Sequence, residues 1–304
     1  MGRAPSTAEH PAVKLISFIS AGRATFGAIS NAPANDRAVD LGPLLGARFA
    51  DLKALLADPR ALDAAREAMH RAGADLPLDA ITLLPVIPNP GAIWCVGLNY
   101  RDHVEETKGR IAEKPVLFQR TAMSQAAHRQ PIPRPPESTA IDYEGELAVV
   151  IGTGGRRIAE ADAWAHVAGY ACYNDVSVRD WQRHTSQWGP GKNFWRTGAF
   201  GPWLVTADEI EAGAPLTLTT RVNGRELQRA TTDMMIHGIA QLIAYLSTMA
   251  PLQPGDVLVT GTPGGVGMAR TPQIWLRPGD RVEIEISRVG ILENSVIDEA
   301  DAKS

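Results

Sequence analysis

From about residue 92 onward, apolar residues come in short runs separated by turn residues. The runs are Ile93–Val96, Glu146–Ile151, Val167–Tyr173, Trp203–Val205, Leu216–Val222, Val257–Thr260 and Arg281–Ile286. Segments this short, rich in β-branched and aromatic residues and bounded by Gly, Pro, Asn or Asp, read as strands. Helical spacing is clear in one place: Met235, Ile239, Leu242, Ile243 and Leu246 share a stripe, which predicts a helix over about Thr232 to Met249, and Asp162–His166 reads as a shorter one. Upstream the texture differs. Lys14–Ile19 and Thr25–Ile29 read as two strands around an Ala-Gly-Arg turn, and Phe49–Leu56 and Pro59–Ala72 read as helices, with Pro59 suited to a first helical turn. The proline-rich stretch Leu84–Gly91 cannot form a regular helix and reads as a linker. The pattern predicts a small N-terminal α+β domain over residues 1–88 and a larger domain over residues 89–304. The fold class is α+β and β-rich, not a doubly wound α/β sheet.

Composition narrows the partners. Of 304 residues, 44% are apolar and 21% charged, which suits a globular chain, and the net charge of −4 lacks the basic excess of a nucleic-acid binder. No apolar run approaches the roughly 18–20 residues needed to cross a bilayer, and Met1 to Lys14 carries no apolar core of a secretory signal. The 28 glycines and 22 prolines are spread along the chain and imply many turns rather than disorder. Cys95 and Cys172 both sit in apolar runs, outside any CxxC, and read as buried thiols of a reducing compartment. A cytoplasmic protein without membrane or nucleic-acid partners is expected.

Chemistry concentrates where carboxylates meet apolar strands. In Asp142-Tyr143-Glu144-Gly145-Glu146, followed by an apolar run, the two glutamates stand two residues apart and project to one side of a strand. Like charges so placed repel and are costly to bury. A divalent cation turns them into ligands, and oxygen donors suit Mg²⁺ or Mn²⁺. Asp175 closes the apolar run Gly169–Tyr173 and is a candidate third ligand. Two other accounts stay open at this point: a solvated strand edge for the glutamates, and a helix N-cap for Asp175. After the strand Ile93–Val96, Asn99 or Asp102 could cap a short helix on which His103 and Glu106 share a face. A carboxylate on one ring nitrogen makes an imidazole a general base, although a surface His–Glu pair would look the same. His128, His184 and His237 read as structural or exposed. The glycine-rich run Thr260–Gly267 lacks the Gly-Lys-Ser/Thr ending of a phosphate loop and reads as a tight loop whose N–H groups face an anion. Trp188–Lys192 reads as a loop that delivers one lysine.

Seven segments in order resemble the fumarylacetoacetate hydrolase family: Gly-Leu-Asn-Tyr-x-x-His (97–103), Pro-Val-Leu-Phe (115–118), Tyr-Glu-Gly-Glu-Leu-Ala-Val-Val-Ile-Gly (143–152), Asn-Asp-Val-Ser-Val-Arg-Asp-x-Gln (174–182), Gly-Lys-Asn-Phe (191–194), Gly-Pro-Trp (201–203) and Pro-Gly-Asp-Val-Leu-x-Thr-Gly-Thr-Pro-x-Gly-Val-Gly (254–267). The match covers roughly residues 92–297 and is like that of bacterial fumarylpyruvate or acylpyruvate hydrolases, oxaloacetate decarboxylases and 2-hydroxyhepta-2,4-diene-1,7-dioate isomerases.

The resemblance implies a mixed β-roll assembled as a homodimer, with a small 2-oxo acid as its substrate. It implies Glu144, Glu146 and Asp175 as ligands of Mg²⁺ (or Mn²⁺), His103 and Glu106 as the water-activating pair, and Lys192 and Gln182 as further catalytic residues. Arg179, Thr262 and Arg120 are implied at the substrate. At Arg120 the chain departs from the family's Phe-x-Lys-Pro, bringing a planar guanidinium in place of an ammonium, and the change bears on the substrate's distal end. The implied activity is hydrolysis of the C–C bond of a 2,4-dioxo acid of the acylpyruvate type through a metal-bound pyruvate enolate. Oxaloacetate-type decarboxylation or 2-oxo acid isomerisation on the same core is the alternative, and a non-catalytic ligand- or metal-binding module, or a structural Ca²⁺ site, is the rival of another class.

Overall fold

The computed structural model describes residues 13–30, 37–58, 60–72 and 76–302. A 12-stranded mixed sheet dominates them. Its centre is built from Gly145–Ile151 and Val167–Asp175, paired antiparallel and buried along their whole length. Residues of a strand alternate between faces, so two buried faces demand the near-continuous apolar runs seen here. Leu147, Val149, Tyr170 and Cys172 point to one core, while Ala148, Val150, Ala171 and Tyr173 point to the other. The first core is closed by a five-stranded sheet (Thr217–Val222, Arg225–Thr231, Arg281–Ile286, Gly290–Asp298 and Ile132–Arg134), which contributes Leu218, Ile284, Ile286 and Leu292. The helix Ile239–Met249 adds Leu242, Ile243 and Leu246. This is the β-rich α+β architecture expected.

The leading strands extend the central sheet. Lys14–Ser20 forms a hairpin with Arg23–Ile29 around Ala21 and Gly22, and Lys14 and Leu15 pair with Val205 and Leu204 of Gly198–Thr206. The second core therefore mixes Leu15, Phe26, Leu41 and Leu52 with Tyr173, Phe200 and Leu204. The helix expected over Phe49–Leu56 is limited to Leu52–Leu56, where Asp51 caps it through the N–H of Ala54 at 2.7 Å, and the next spans Ala61–Ala72; Pro59 lies outside the described residues. The linker Leu84–Gly91 is irregular, as read, and is tied down by Leu84 N–H to Ser17 O at 2.9 Å and Ser17 Oγ–H to Val86 O at 2.8 Å.

Three expectations change. The helix read from Thr232 starts at Ile239, because Ile236 and His237 donate their N–H groups to Asn99 O and Oδ1 at 2.7 and 2.8 Å and Met235 bridges to Tyr100. Asn99 is thus engaged with that segment and does not cap the helix Arg101–Glu106, whose first turn has no side-chain cap. Residues Glu160–His166 form 3₁₀ rather than α-helix. Both cysteines are free and buried. Among the described residues, no helix is long and apolar enough to cross a membrane.

Candidate metal and acid–base site

Register assembles the carboxylates. Gly145 pairs with Asn174, which sets Glu144 beside Asp175; Asp175 N–H donates to Glu144 O at 2.8 Å and Glu144 N–H to Asn174 Oδ1 at 3.1 Å. Glu146, one step further in, projects to the same side. Carboxylate oxygens of Glu144, Glu146 and Asp175 all lie within 4.8 Å of one another, and all three residues are buried. Asp175 ends a strand and caps no helix: the helix that follows begins at Arg179 with Val178 before it. The glutamates are not a solvated edge. Gly145 between them faces the five-stranded sheet, where a Cβ would stand 2.1 Å from Thr220 Oγ1.

Three buried cations hold these acids. Lys192 Nζ donates to Glu144 Oε2 and Asp175 Oδ2, each at 2.6 Å, and sits 5.0 Å from the centre of the Phe118 ring. It arrives on the one-turn helix Gly189–Lys192, where a loop was expected. Arg179 Nη2 lies 2.7 Å from Glu144 Oε1 and 2.8 Å from Asp142 Oδ2, and its Nη1 donates to Gln182 Oε1 at 3.1 Å. Arg120, expected at the substrate's distal end, is instead behind the cluster: its side chain is fully buried, donating to Asp175 Oδ1 at 3.0 Å and Thr197 Oγ1 at 2.9 Å. Its planar fork is directed at these buried acceptors, and the residue does not line the cavity that opens on the cluster.

Burial opposes the ionisation of Glu144, yet Arg179 and Lys192 outweigh it and hold its pKa down at about 2. Glu146 moves the other way. Burial, with the charges of Asp175 and Glu144 next to it, pushes its carboxyl well above the usual range. Burial likewise disfavours the charged form of Lys192, but Asp175 and Glu144 reverse it and keep the ammonium protonated. Four carboxylates (Asp142, Glu144, Glu146, Asp175) thus face three cations (Arg120, Arg179, Lys192), and the unmatched negative charge falls on Glu146. A hard divalent cation fits this donor set, since it would meet three converging carboxylate oxygens and remove the repulsion at Glu146.

The imidazole comes from a neighbouring helix. His103 Nδ1 lies 2.8 Å from Glu106 Oε1, and Glu106 accepts further bonds from Gly265 N–H at 2.7 Å and Val266 N–H at 3.4 Å. The glycine-rich loop does present its N–H groups to anions, but these are the protein's own. Gly261 donates to Glu146 Oε2 at 2.5 Å, Gly267 to Asp142 Oδ1 at 2.7 Å and Met268 to Asp142 Oδ2 at 3.0 Å. Gly261 adopts a φ of 102°, and a Cβ there would stand 2.7 Å from Asn99 Cβ, so only glycine brings this N–H to Glu146. Asp142 is the site residue that the sequence reading missed. Its signal was the alternation Asp142, Glu144, Glu146, three acids at period two.

A cavity of about 210 Å³ opens on this cluster, lined by His103, Glu144, Glu146, Asp175, Arg179, Gln182, Lys192 and Thr262, and also by Val96, Leu98, Phe118, Arg183, Trp188 and Met268. Thr262 Oγ–H donates to Gly145 O at 3.0 Å and its oxygen accepts from Gln228 Nε2 at 2.8 Å, so the hydroxyl is anchored at the cavity wall. Glu106 stands behind His103, outside the lining.

Residues 92–297 match the Fumarylacetoacetate (FAA) hydrolase C-terminal family. Oxaloacetate tautomerase Fahd2a, mitochondrial, from Rattus norvegicus is 41% identical over 238 residues, 78% of this chain and 76% of that protein. Among solved structures, a 2-hydroxyhepta-2,4-diene-1,7-dioate isomerase from Mycobacterium marinum superposes with a TM-score of 0.72 at 29% identity, covering 95% of this chain and 100% of the other. A maleylpyruvate hydrolase from Sphingobium sp. SYK-6, solved with manganese(II) ion and pyruvate, does so with a TM-score of 0.76 at 28% identity, covering 94% and 99%.

Proposed function

The chain belongs to the fumarylacetoacetate hydrolase family, and from that premise we propose that it is a divalent-metal-dependent enzyme that moves the C3 proton of a short 2-oxo acid, interconverting keto and enol forms as an oxaloacetate tautomerase does. The observation that carries this reading is convergence: three buried carboxylate ligands and an imidazole tied to its own carboxylate face one cavity of about 210 Å³. That volume lies below the ~300–1,000 Å³ usual for ligand sites and favours a short substrate. The 41% identity with an oxaloacetate tautomerase supports the same choice over a longer 2,4-dioxo acid.

Each residue then has a task. Glu144, Glu146 and Asp175 would hold Mg²⁺ or Mn²⁺, which when bound supplies Lewis acidity toward the 2-oxo oxygen. Glu106 fixes the ring of His103 through Nδ1 and leaves Nε2 to accept a proton. In the keto-to-enol direction His103 takes the C3 proton, the C3–H electron pair becomes the C2=C3 bond, the C2 oxygen gains a proton from water, and His103 returns its proton to the hydroxide so formed. Lys192 and Arg179 keep the carboxylates ionised and aligned. Thr262 and Gln182 provide polar groups at the cavity wall.

A second reading, hydrolysis of the C–C bond of a 2,4-dioxo acid, is favoured by the same pair: His103 held by Glu106 is equally suited to deprotonate water. Similarity to a maleylpyruvate hydrolase supports it. Kinetics separate the two. With Mg²⁺ or Mn²⁺ the protein is expected to accelerate ketonisation of enol-oxaloacetate, followed by loss of enol absorbance, and chelator-treated protein to lose that activity. His103→Ala is expected to lower kcat by about 10²–10⁴-fold. Cleavage of acylpyruvates without ketonisation of oxaloacetate would replace this reading by the hydrolase one, and pyruvate release from oxaloacetate would point to a decarboxylase.

A further inference from the structure

Charge balance in the cavity leaves one cation over. Counted in their ionised forms, as metal ligands would be, the four buried carboxylates exceed the three buried cations by one negative charge. A divalent ion reverses this to one positive charge, and the head carboxylate of a 2-oxo acid brings the total to zero. A second carboxylate on the substrate would need a further partner. Arg120, Arg179 and Lys192 are each already paired with the acids.

Arg183 can serve as that partner. It follows the short helix Arg179–Gln182, its N–H donating to Asp180 O at 3.1 Å, and it lines the same cavity. The side chain is exposed to solvent at the mouth, and among the described residues no carboxylate pairs with it. Its Nη2 touches only the Met268 Sδ, at 3.9 Å, a weak acceptor. Met268 is itself fixed, because its N–H is held by Asp142 Oδ2. The same cavity has apolar lining from Val96, Leu98, Phe118 and Trp188. A distal carboxylate entering here would meet one planar guanidinium and little else polar.

We propose that the substrate is a dicarboxylate and that Arg183 selects it by binding the carboxylate distal to the 2-oxo group, the role that position 120 suggested in the sequence and that the fold gives to Arg183. This rests on the reading of the cavity as a 2-oxo acid site and adds the substrate's second charge to it.

Two comparisons test this on the full chain with Mn²⁺ supplied. In binding, malate and 2-hydroxybutyrate are unreactive analogues that differ by the distal carboxylate. Calorimetry is expected to find malate bound about 10- to 100-fold more tightly by the wild type, with the gap closing in Arg183→Ala and partly restored in Arg183→Lys. In turnover, oxaloacetate is compared with its 4-methyl ester, which keeps the enolisable centre and removes the charge. Arg183→Ala is expected to lower kcat/KM for oxaloacetate about 10- to 100-fold, mainly through KM, and to leave the ester within about threefold. Equal binding of the two analogues by the wild type, or equal losses for acid and ester in Arg183→Ala, overturns the assignment. A preserved binding gap with no turnover of either substrate upholds Arg183 and overturns the tautomerase reading instead.

Discussion

At the residue scale, the chemistry depends on which acid is matched to which cation. Glu144 has two cations and is held ionised, while Glu146 has none and its carboxyl rises. Asp142 never touches the cavity, yet it binds Arg179 and two N–H groups of the glycine-rich loop, so it positions both. Away from the site, burial and the neighbouring Arg129 lower His128 to a pKa of about 4, and its Nδ1 accepts the N–H of Glu293 at 3.1 Å. A histidine depressed in this way contributes stability that is complete above its unfolded pKa near 6.5 and is lost as pH falls toward 4. Between pH 7 and 5 this one group is expected to cost about 1–2 kcal/mol, allowing for its partial exposure. His128→Gln should flatten that part of the pH profile in urea titrations, and an unchanged slope would show that His128 is not its source.

At the element scale, the two central strands succeed because one apolar run serves two cores and its polar end serves the site. Gly145 is the pivot. It lets the strand lie against Thr220, Ile284 and Leu218 while Glu144 and Glu146 turn to the cavity. Gly145→Ala would set a methyl 2.1 Å from Thr220 Oγ1 and 3.1 Å from Ile284 Cδ1. Overpacking of this kind is expected to cost about 1–3 kcal/mol. Thr220 Oγ1 is buried without a hydrogen-bond partner, so Thr220→Ala removes the obstacle cheaply. A double-mutant cycle in urea should show recovery of part of the loss, whereas strict additivity would place the strain elsewhere. Arg225–Thr231 and Gly290–Asp298 escaped the sequence reading for a related reason. Each places a polar side chain at a buried position, Gln228 and Asn294, and this breaks the apolar alternation.

At the scale of the whole molecule, the leading segment is part of the scaffold. It pairs with the central sheet at Lys14 and Leu15, and its Phe26, Leu41 and Leu52 cover one face of the strands that carry the acids. A chain starting at residue 89 would expose Tyr173, Phe200 and Leu204 to water. Such a fragment is expected to lose cooperative unfolding and bound Mn²⁺ together, as read by circular dichroism and calorimetry. A fragment that melts sharply and keeps the ion would show that residues 89–304 fold alone.

Local order along the chain was enough to determine the β-rich class, the family, the glutamates as a same-side pair and His103 with Glu106 as neighbours, because strand and helix periods act over a few residues. Only the tertiary structure decided that Asp175 meets those glutamates, that Asp142 and Arg120 stand behind the site, and that Arg183 lines the cavity with no carboxylate partner among the described residues. Those relations join residues tens of positions apart through strand register and loop packing, and neither a period nor a motif encodes which buried charge finds which partner.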